Sequence, residues 1–88
     1  MSVVDTNGLV TITASITSVF YCRPSPGEPP FVEIGDEVDE NSIVCILEVM
    51  KCFRSVLAGV KGRVEEMVAE DSQQVEKGSA VMLIRPVN

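Results

Sequence analysis

Ile43-Val44-Cys45-Ile46-Leu47-Glu48-Val49-Met50-Lys51-Cys52-Phe53-Arg54-Ser55-Val56-Leu57 is the stretch whose reading decides the fold. Apolar runs rich in β-branched residues flank Glu48-Val49-Met50-Lys51. Each run predicts a strand, and the four residues between them predict a tight hairpin turn. That turn holds no Gly, Asn, Asp or Pro, the residues that make tight turns easy. It holds a thioether and an amine instead. A Met at a hairpin tip is exposed apolar surface with no folding benefit, so it serves whatever reads the tip.

Working outward, the chain repeats itself. Val38–Leu47 (Val-Asp-Glu-Asn-Ser-Ile-Val-Cys-Ile-Leu) returns at an offset of 37 as Val75–Ile84 (Val-Glu-Lys-Gly-Ser-Ala-Val-Met-Leu-Ile). A weaker match carries Ala14–Phe20 onto Ala58–Val64 at an offset of 44. Two copies are too few for a solenoid, which needs three or more. The repeat instead predicts two similar halves related by a pseudo-twofold, each built of strand pairs. The unequal offsets leave the first half seven residues longer between Phe20 and Val38. The excess includes Arg23-Pro24-Ser25-Pro26-Gly27-Glu28-Pro29-Pro30, four prolines in eight residues. Pro fixes φ and lacks an N–H, so this segment predicts a stiff loop leaving the sheet rather than a central strand. Strands are expected near 9–14, 17–22, 31–34, 43–49, 52–57, 62–68 and 80–85, with a short one near 74–76. The stretch Val64–Asp71 also admits a helical turn.

Composition narrows the function. The 88 residues suit one domain spanning 1–88, and 45% are apolar with no Trp, so Val, Ile, Leu, Ala and Met must build the core. There is no His, which removes the commonest general base and the usual partner of a catalytic Ser or Cys. Metal binding lacks its ligands. A net charge of −6 disfavours nucleic acid and steers the domain toward basic protein surfaces. No stretch reaches the length of a membrane span and no secretory signal opens the chain, so a cytoplasmic or organelle-matrix setting is expected. Cys22, Cys45 and Cys52 are an odd set and predict free thiols rather than a disulfide framework.

Glu48-Val49-Met50-Lys51 at such a turn resembles the attachment site of the biotin carboxyl carrier family, and the likeness runs from about Ala14 to Arg85. Phe20-Tyr21, then Pro24-Ser25-Pro26, then Phe31-Val32-Glu33-Ile34-Gly35 resemble the thumb loop and its flanks in the carrier subunit of bacterial and plastid-type acetyl-CoA carboxylase. Gly62-Arg63-Val64 stands at the equivalent point of the second half. The resemblance implies an all-β flattened barrel of two four-stranded antiparallel sheets, with an attachment hairpin at about 48–52 and a thumb at 23–30. Four departures are visible. Val49 replaces the commoner Ala, Cys52 replaces Met or Leu, and Arg23 replaces the Thr that precedes Pro-Ser-Pro. The stretch Ala14-Ser15-Ile16-Thr17-Ser18 stands where Ser-Pro-Met-Val-Gly is usual. The Ala/Pro-rich linker of full-length bacterial carriers is missing, which implies a stand-alone carrier or an excised domain.

The same resemblance implies the chemistry. A biotin protein ligase joins biotin to the Lys51 amine as an amide. Biotin carboxylase then loads a carboxyl group, and a carboxyltransferase passes it to an acyl-CoA, as in fatty-acid synthesis. The domain catalyses none of these steps and acts by effective concentration. Lys51 is the attachment residue, with Glu48, Val49, Met50 and Cys52 as ligase recognition. Glu48 reads equally as a solvated strand-end carboxylate. A lipoyl-type carrier is one alternative, although lipoyl domains usually present Asp-Lys-Ala and lack the thumb. An unmodified docking or regulatory module of a carboxylase complex is the other.

Overall fold

The computed structural model describes residues 8–87 and the backbone of 2–4. Nine strands follow in order: β1 (Ser2–Val4), β2 (Val10–Thr13), β3 (Ser18–Tyr21), β4 (Glu37–Val38), β5 (Ile43–Val49), β6 (Cys52–Leu57), β7 (Gly62–Met67), β8 (Gln73–Val75) and β9 (Ala80–Pro86). Every pairing is antiparallel, and no helix occurs among the described residues. One sheet has the order β6-β5-β3-β8 and the other β1-β2-β9-β7-β4. The two four-stranded sheets expected from the repeat are present, with β1 added at the edge of β2.

The repeat accounts for the topology strand by strand. Shifting β2 and β3 by 44 gives β6 and β7, and shifting β4 and β5 by 37 gives β8 and β9. The operation turns β2-β9-β7-β4 into β6-β5-β3-β8, which is the order of the second sheet. Registers follow as well. Phe20↔Leu47 becomes Val64↔Ile84, and Val38↔Gly62 becomes Val75↔Ser18. Two of the irregularities are paired as well, because β5 and β9 each bulge at the equivalent Val44 and Val81, whereas the shift at Val64/Glu66 of β7 has no twin in β3. A bulge sets two successive side chains inward. Val44-Cys45 and Val81-Met82 are accordingly all buried.

The core lies between the sheets. Phe20, Val44, Cys45 and Leu47 come from one sheet and Val64, Val81, Met82 and Ile84 from the other, each under 2% exposed. Burying one such aliphatic or aromatic side chain is worth roughly 1.5–3 kcal/mol. The sheets differ in spacing at one twinned position. A Cβ on Gly62 would run into the backbone carbonyl of Arg85 on β9, whereas its twin Ser18 carries a side chain whose hydroxyl donates to the Ile16 carbonyl at 2.8 Å.

One expected strand needs correction. Residues 31–34 are not a strand, despite the apolar alternation of Phe31-Val32-Glu33-Ile34. Only Val32 is buried. The segment ends in a turn in which Asp36 N–H donates to Glu33 O at 3.0 Å, Glu33 N–H donates to the Asp36 carboxylate at 2.9 Å, and Gly35 has φ 96°. Ile34 is consequently 65% exposed. The strand in this region is Glu37–Val38, too short to leave an alternation in the sequence. The strand expected near 62–68 is present as Gly62–Met67, and the helical turn that Val64–Asp71 also admitted does not form. The strand at 2–4 was not anticipated.

β5 runs toward the tip of the β5–β6 hairpin, and Val19 of β3 pairs with Glu48 near its end, so Ser18 lies level with the hairpin's end. The chain reaches Ser18 from Thr13 through residues 14–17. The other ends of β2 and β9, at Val10 and Pro86, therefore face away from the hairpin tip.

Candidate functional site

The strands of the β5–β6 hairpin run to Val49↔Cys52, so the turn is only Met50-Lys51 rather than the four residues 48–51. Met50 has φ 50° and Lys51 φ 67°. Two successive residues in the left-handed region make the type I′ turn, whose twist suits a hairpin and whose usual residues are Asn-Gly. An L-residue with a Cβ is held there at a cost of roughly 1–2 kcal/mol. Met50 is 91% exposed, and Lys51 is exposed with no ion pair or hydrogen bond among the described residues. Nothing in the folded core recovers that strain. Strain held on exposed side chains at one turn singles out Met50-Lys51 as the candidate site.

The neighbours of the turn divide between the two sides of the hairpin. Glu48 pairs with Val19 and Phe53, which puts it on the outer face of its sheet. There its carboxylate accepts the Tyr21 hydroxyl, and that hydrogen bond raises the Tyr21 pKa above its ordinary value. Val49 and Cys52 pair with each other one step along the hairpin and point the other way. Cys52 is exposed and free.

Beside Glu48 the 23–30 segment stands off the sheet. Phe31 N–H donates to Cys22 O at 2.8 Å and closes its base. Its tip is Ser25-Pro26-Gly27-Glu28, with Gly27 at φ 86° and Glu28 N–H donating to Ser25 O at 3.1 Å, the arrangement of a type II turn with Pro at its second position. Between this loop and the sheet lies a cavity of about 480 Å³. Arg23, Pro24, Ser25 and Pro26 form one wall, Tyr21, Ile46, Glu48 and Phe53 the other, and Asp71 and Ser72 its end. The structure therefore brings Glu48 together with residues 23–26. Gly27, Glu28, Pro29, Pro30, Val49, Met50, Lys51 and Cys52 do not line the cavity.

Tyr21, Phe53 and Asp71 were not among the expected site residues, Tyr21 having been named only as a flank of the thumb. For Tyr21 and Phe53 the signal was available, since strand alternation places both on the face of Glu48. Asp71 stands beside Glu70 with nothing in the sequence to single it out. Its carboxylate accepts Cys22 N–H at 2.9 Å and Cys22 Sγ at 3.4 Å. Partial burial raises the Cys22 thiol, and that contact raises it further. Cys45, sealed in the core, is pushed up to about 12 by burial. No cluster of His, Cys, Asp or Glu among the described residues could hold a metal ion, and no helix is long and apolar enough to cross a membrane. An exposed amine at an uncrowded tip fits a covalently attached cofactor.

A twofold sandwich of short antiparallel strands that lifts one lysine on a hairpin has the architecture of the biotinyl and lipoyl domains. Residues 10–84 match the family described as biotin-requiring enzymes, the biotin and lipoyl attachment family, and the chain belongs to it. It is 38% identical over 80 residues to the biotin carboxyl carrier protein of acetyl-CoA carboxylase from Pyropia yezoensis, covering 91% of this chain and 51% of that protein. The protein of the same description from Chlamydia muridarum is 42% identical over 73 residues, covering 83% and 45%. A chloroplastic counterpart from Arabidopsis thaliana is 39% identical over 75 residues, covering 85% and 29%. The chain thus spans about half or less of the length of these relatives.

Proposed function

We propose that this domain carries biotin on Lys51 for an acetyl-CoA carboxylase-type enzyme, acting as a carrier and not as a catalyst. The observation that carries this reading is the Met50-Lys51 turn, strained at two consecutive exposed positions. Similarity to the named carrier proteins supports it. Biotin supplies a ureido nitrogen that accepts a carboxyl group and gives it up again. This chain's residues do the rest. Lys51 provides the amine that a biotin protein ligase acylates, and its four-carbon stem adds reach. The type I′ turn holds that amine clear of both sheets. Met50 and Glu48 are the features the ligase reads, Met50 at the exposed tip and Glu48 held by Tyr21, with Val49 and Cys52 forming the hairpin pair beneath. A biotin carboxylase and a carboxyltransferase are the partners that load and unload the carrier, in fatty-acid synthesis. The 23–30 loop acts as the thumb that limits where the tethered group can go.

Intact-mass measurement after co-expression with a biotin ligase tests the reading. One biotin per chain is expected, lost in Lys51→Arg, which keeps the charge but resists acylation. Undiminished streptavidin signal in that variant would refute the assignment. A lipoyl mass would favour the lipoyl-type carrier, and an unmodified chain the docking module.

A further inference from the structure

We infer that Asp71 is a positioning residue, a latch that holds the 23–30 loop against the face of the attachment hairpin. The twofold supplies the internal comparison. Residues 33–36 and 70–73 are the same turn in the two halves. Asp36 N–H donates to Glu33 O and Gln73 N–H to Glu70 O, both at 3.0 Å. Glu33 N–H donates to the Asp36 side chain and Glu70 N–H to the Gln73 side chain, both at 2.9 Å. Gly35 N–H donates to Val64 O at 2.8 Å and Ser72 N–H to Phe20 O at 2.7 Å.

Against that shared frame the second residue differs. In the first half it is Ile34, which stands 65% exposed. In the second half it is Asp71, aimed at the base of the loop. The third residue differs as well. Gly35 takes φ 96° without steric cost, whereas Ser72 is held at φ 69° with a side chain. The turn that presents Asp71 is thus the more strained of the pair.

Asp71 engages the loop at two points. Its Oδ1 accepts Cys22 N–H at 2.9 Å, the last backbone donor before the loop. Its Oδ2 lies 3.9 Å from Arg23 Nε, and Arg23 Nη1 donates to the Glu28 carbonyl at 3.0 Å. The carboxylate is therefore joined through one guanidinium to the far arm of the loop, on the other side of the Pro26-Gly27 turn. Arg23 occupies the position that resembles a Thr in the thumbed carriers, and here it spans the loop's two arms. Four prolines stiffen the loop but do not aim it, so its direction depends on what grips the base.

The functional half of this inference rests on the carrier reading above, and the test separates the two. In ¹⁵N-labelled protein without biotin, the heteronuclear NOEs of Ser25, Gly27 and Glu28 should be close to those of the strands. Asp71→Ala should lower them to loop values while the strand amides keep their shifts. Asp71→Asn, which retains an oxygen for Cys22 N–H but loses the charge, should fall between. Arg23→Gln is a second variant that leaves the β7–β8 turn intact and should free the Glu28 arm. Unchanged NOEs in Asp71→Ala and Arg23→Gln would overturn the latch. With biotinylated protein, Asp71→Ala should lower kcat/KM for carboxyl transfer by an acetyl-CoA carboxylase carboxyltransferase while the ligase's kcat/KM for the carrier stays the same. NOEs that fall with transfer unchanged would overturn the positioning role. Failure of wild-type Lys51 to take biotin would sink the carrier reading and leave the NOE comparison standing.

Discussion

Replacing Lys51 by Gly should stabilise this protein, although Lys51 is the residue on which the proposed function depends. The side chain makes no ion pair or hydrogen bond among the described residues, so its removal sacrifices little. Its backbone stands at φ 67°, where a Cβ costs roughly 1–2 kcal/mol. Gly escapes that cost but brings back about 0.5–1 kcal/mol of unfolded-chain entropy. The net gain should be about 1 kcal/mol. Lys51→Ala is the control, because Ala loses the same side chain yet keeps the strained Cβ. Adding Met50→Asn, at φ 50°, should increase the gain, since Asn tolerates the left-handed region and completes the Asn-Gly pair favoured in type I′ turns. For a domain of this size, 1 kcal/mol moves Tm by about 4–8 °C. Thermal and urea unfolding followed by circular dichroism would measure it. Lys51→Gly no more stable than Lys51→Ala would refute the claim that strain is held in this turn.

Four further outcomes are expected. Replacing residues 23–30 by a short Gly-containing turn should leave a cooperative thermal transition and ligase modification, while carboxyl transfer falls or lipoylation appears; loss of folding would show the loop to be part of the core. Gly62→Ala should cost about 1–3 kcal/mol by overpacking β7 against the Arg85 carbonyl, read as a lowered Tm, whereas Ser18→Ala at the twinned position should cost less. Stability should fall as pH rises from about 9, where the unfolded Cys45 thiol ionises, toward its folded value of about 12. Over that window the unfolded state binds fewer protons, so the slope is negative and of order 1 kcal/mol per pH unit, and Cys45→Ala should flatten it in alkaline urea titrations. Thiol titration without reductant should find three reduced cysteines on unfolding; in the native state exposed Cys52 should react first and buried Cys45 last.

Much of the fold was legible because the halves repeat, and the repeat encodes pairing as well as strand positions. The offsets 37 and 44 carry β2–β5 onto β6–β9, and one pattern of inward Val, Ile and Leu then serves both sheets. What could not be read were features that leave no periodicity. Glu37–Val38 is two residues long, and Phe31–Ile34 alternates like a strand while folding as turn and loop. At the hairpin the absence of turn-forming residues was visible, and the strain it implies is the φ of Met50 and Lys51. Asp71 was illegible for a different reason. Its significance lies in a contact 49 positions away with Cys22, and its own neighbours Glu70 and Ser72 give no hint of it.

The twofold has a mechanical corollary. Extended by one step past β5 and β9, the offsets carry Met50 onto sequence position 87 and Lys51 onto position 7, so the counterpart of the tip is where the chain enters β2 and leaves β9. A duplicated hairpin fold has two such poles, and only one can be a closed turn. The lysine proposed to carry biotin occupies the closed pole, and the start of β2 and the end of β9 share the open one. The strands of the sandwich then hold the two poles apart. Any rotation of the whole sandwich about its open pole would carry the lysine through an arc without unfolding a strand.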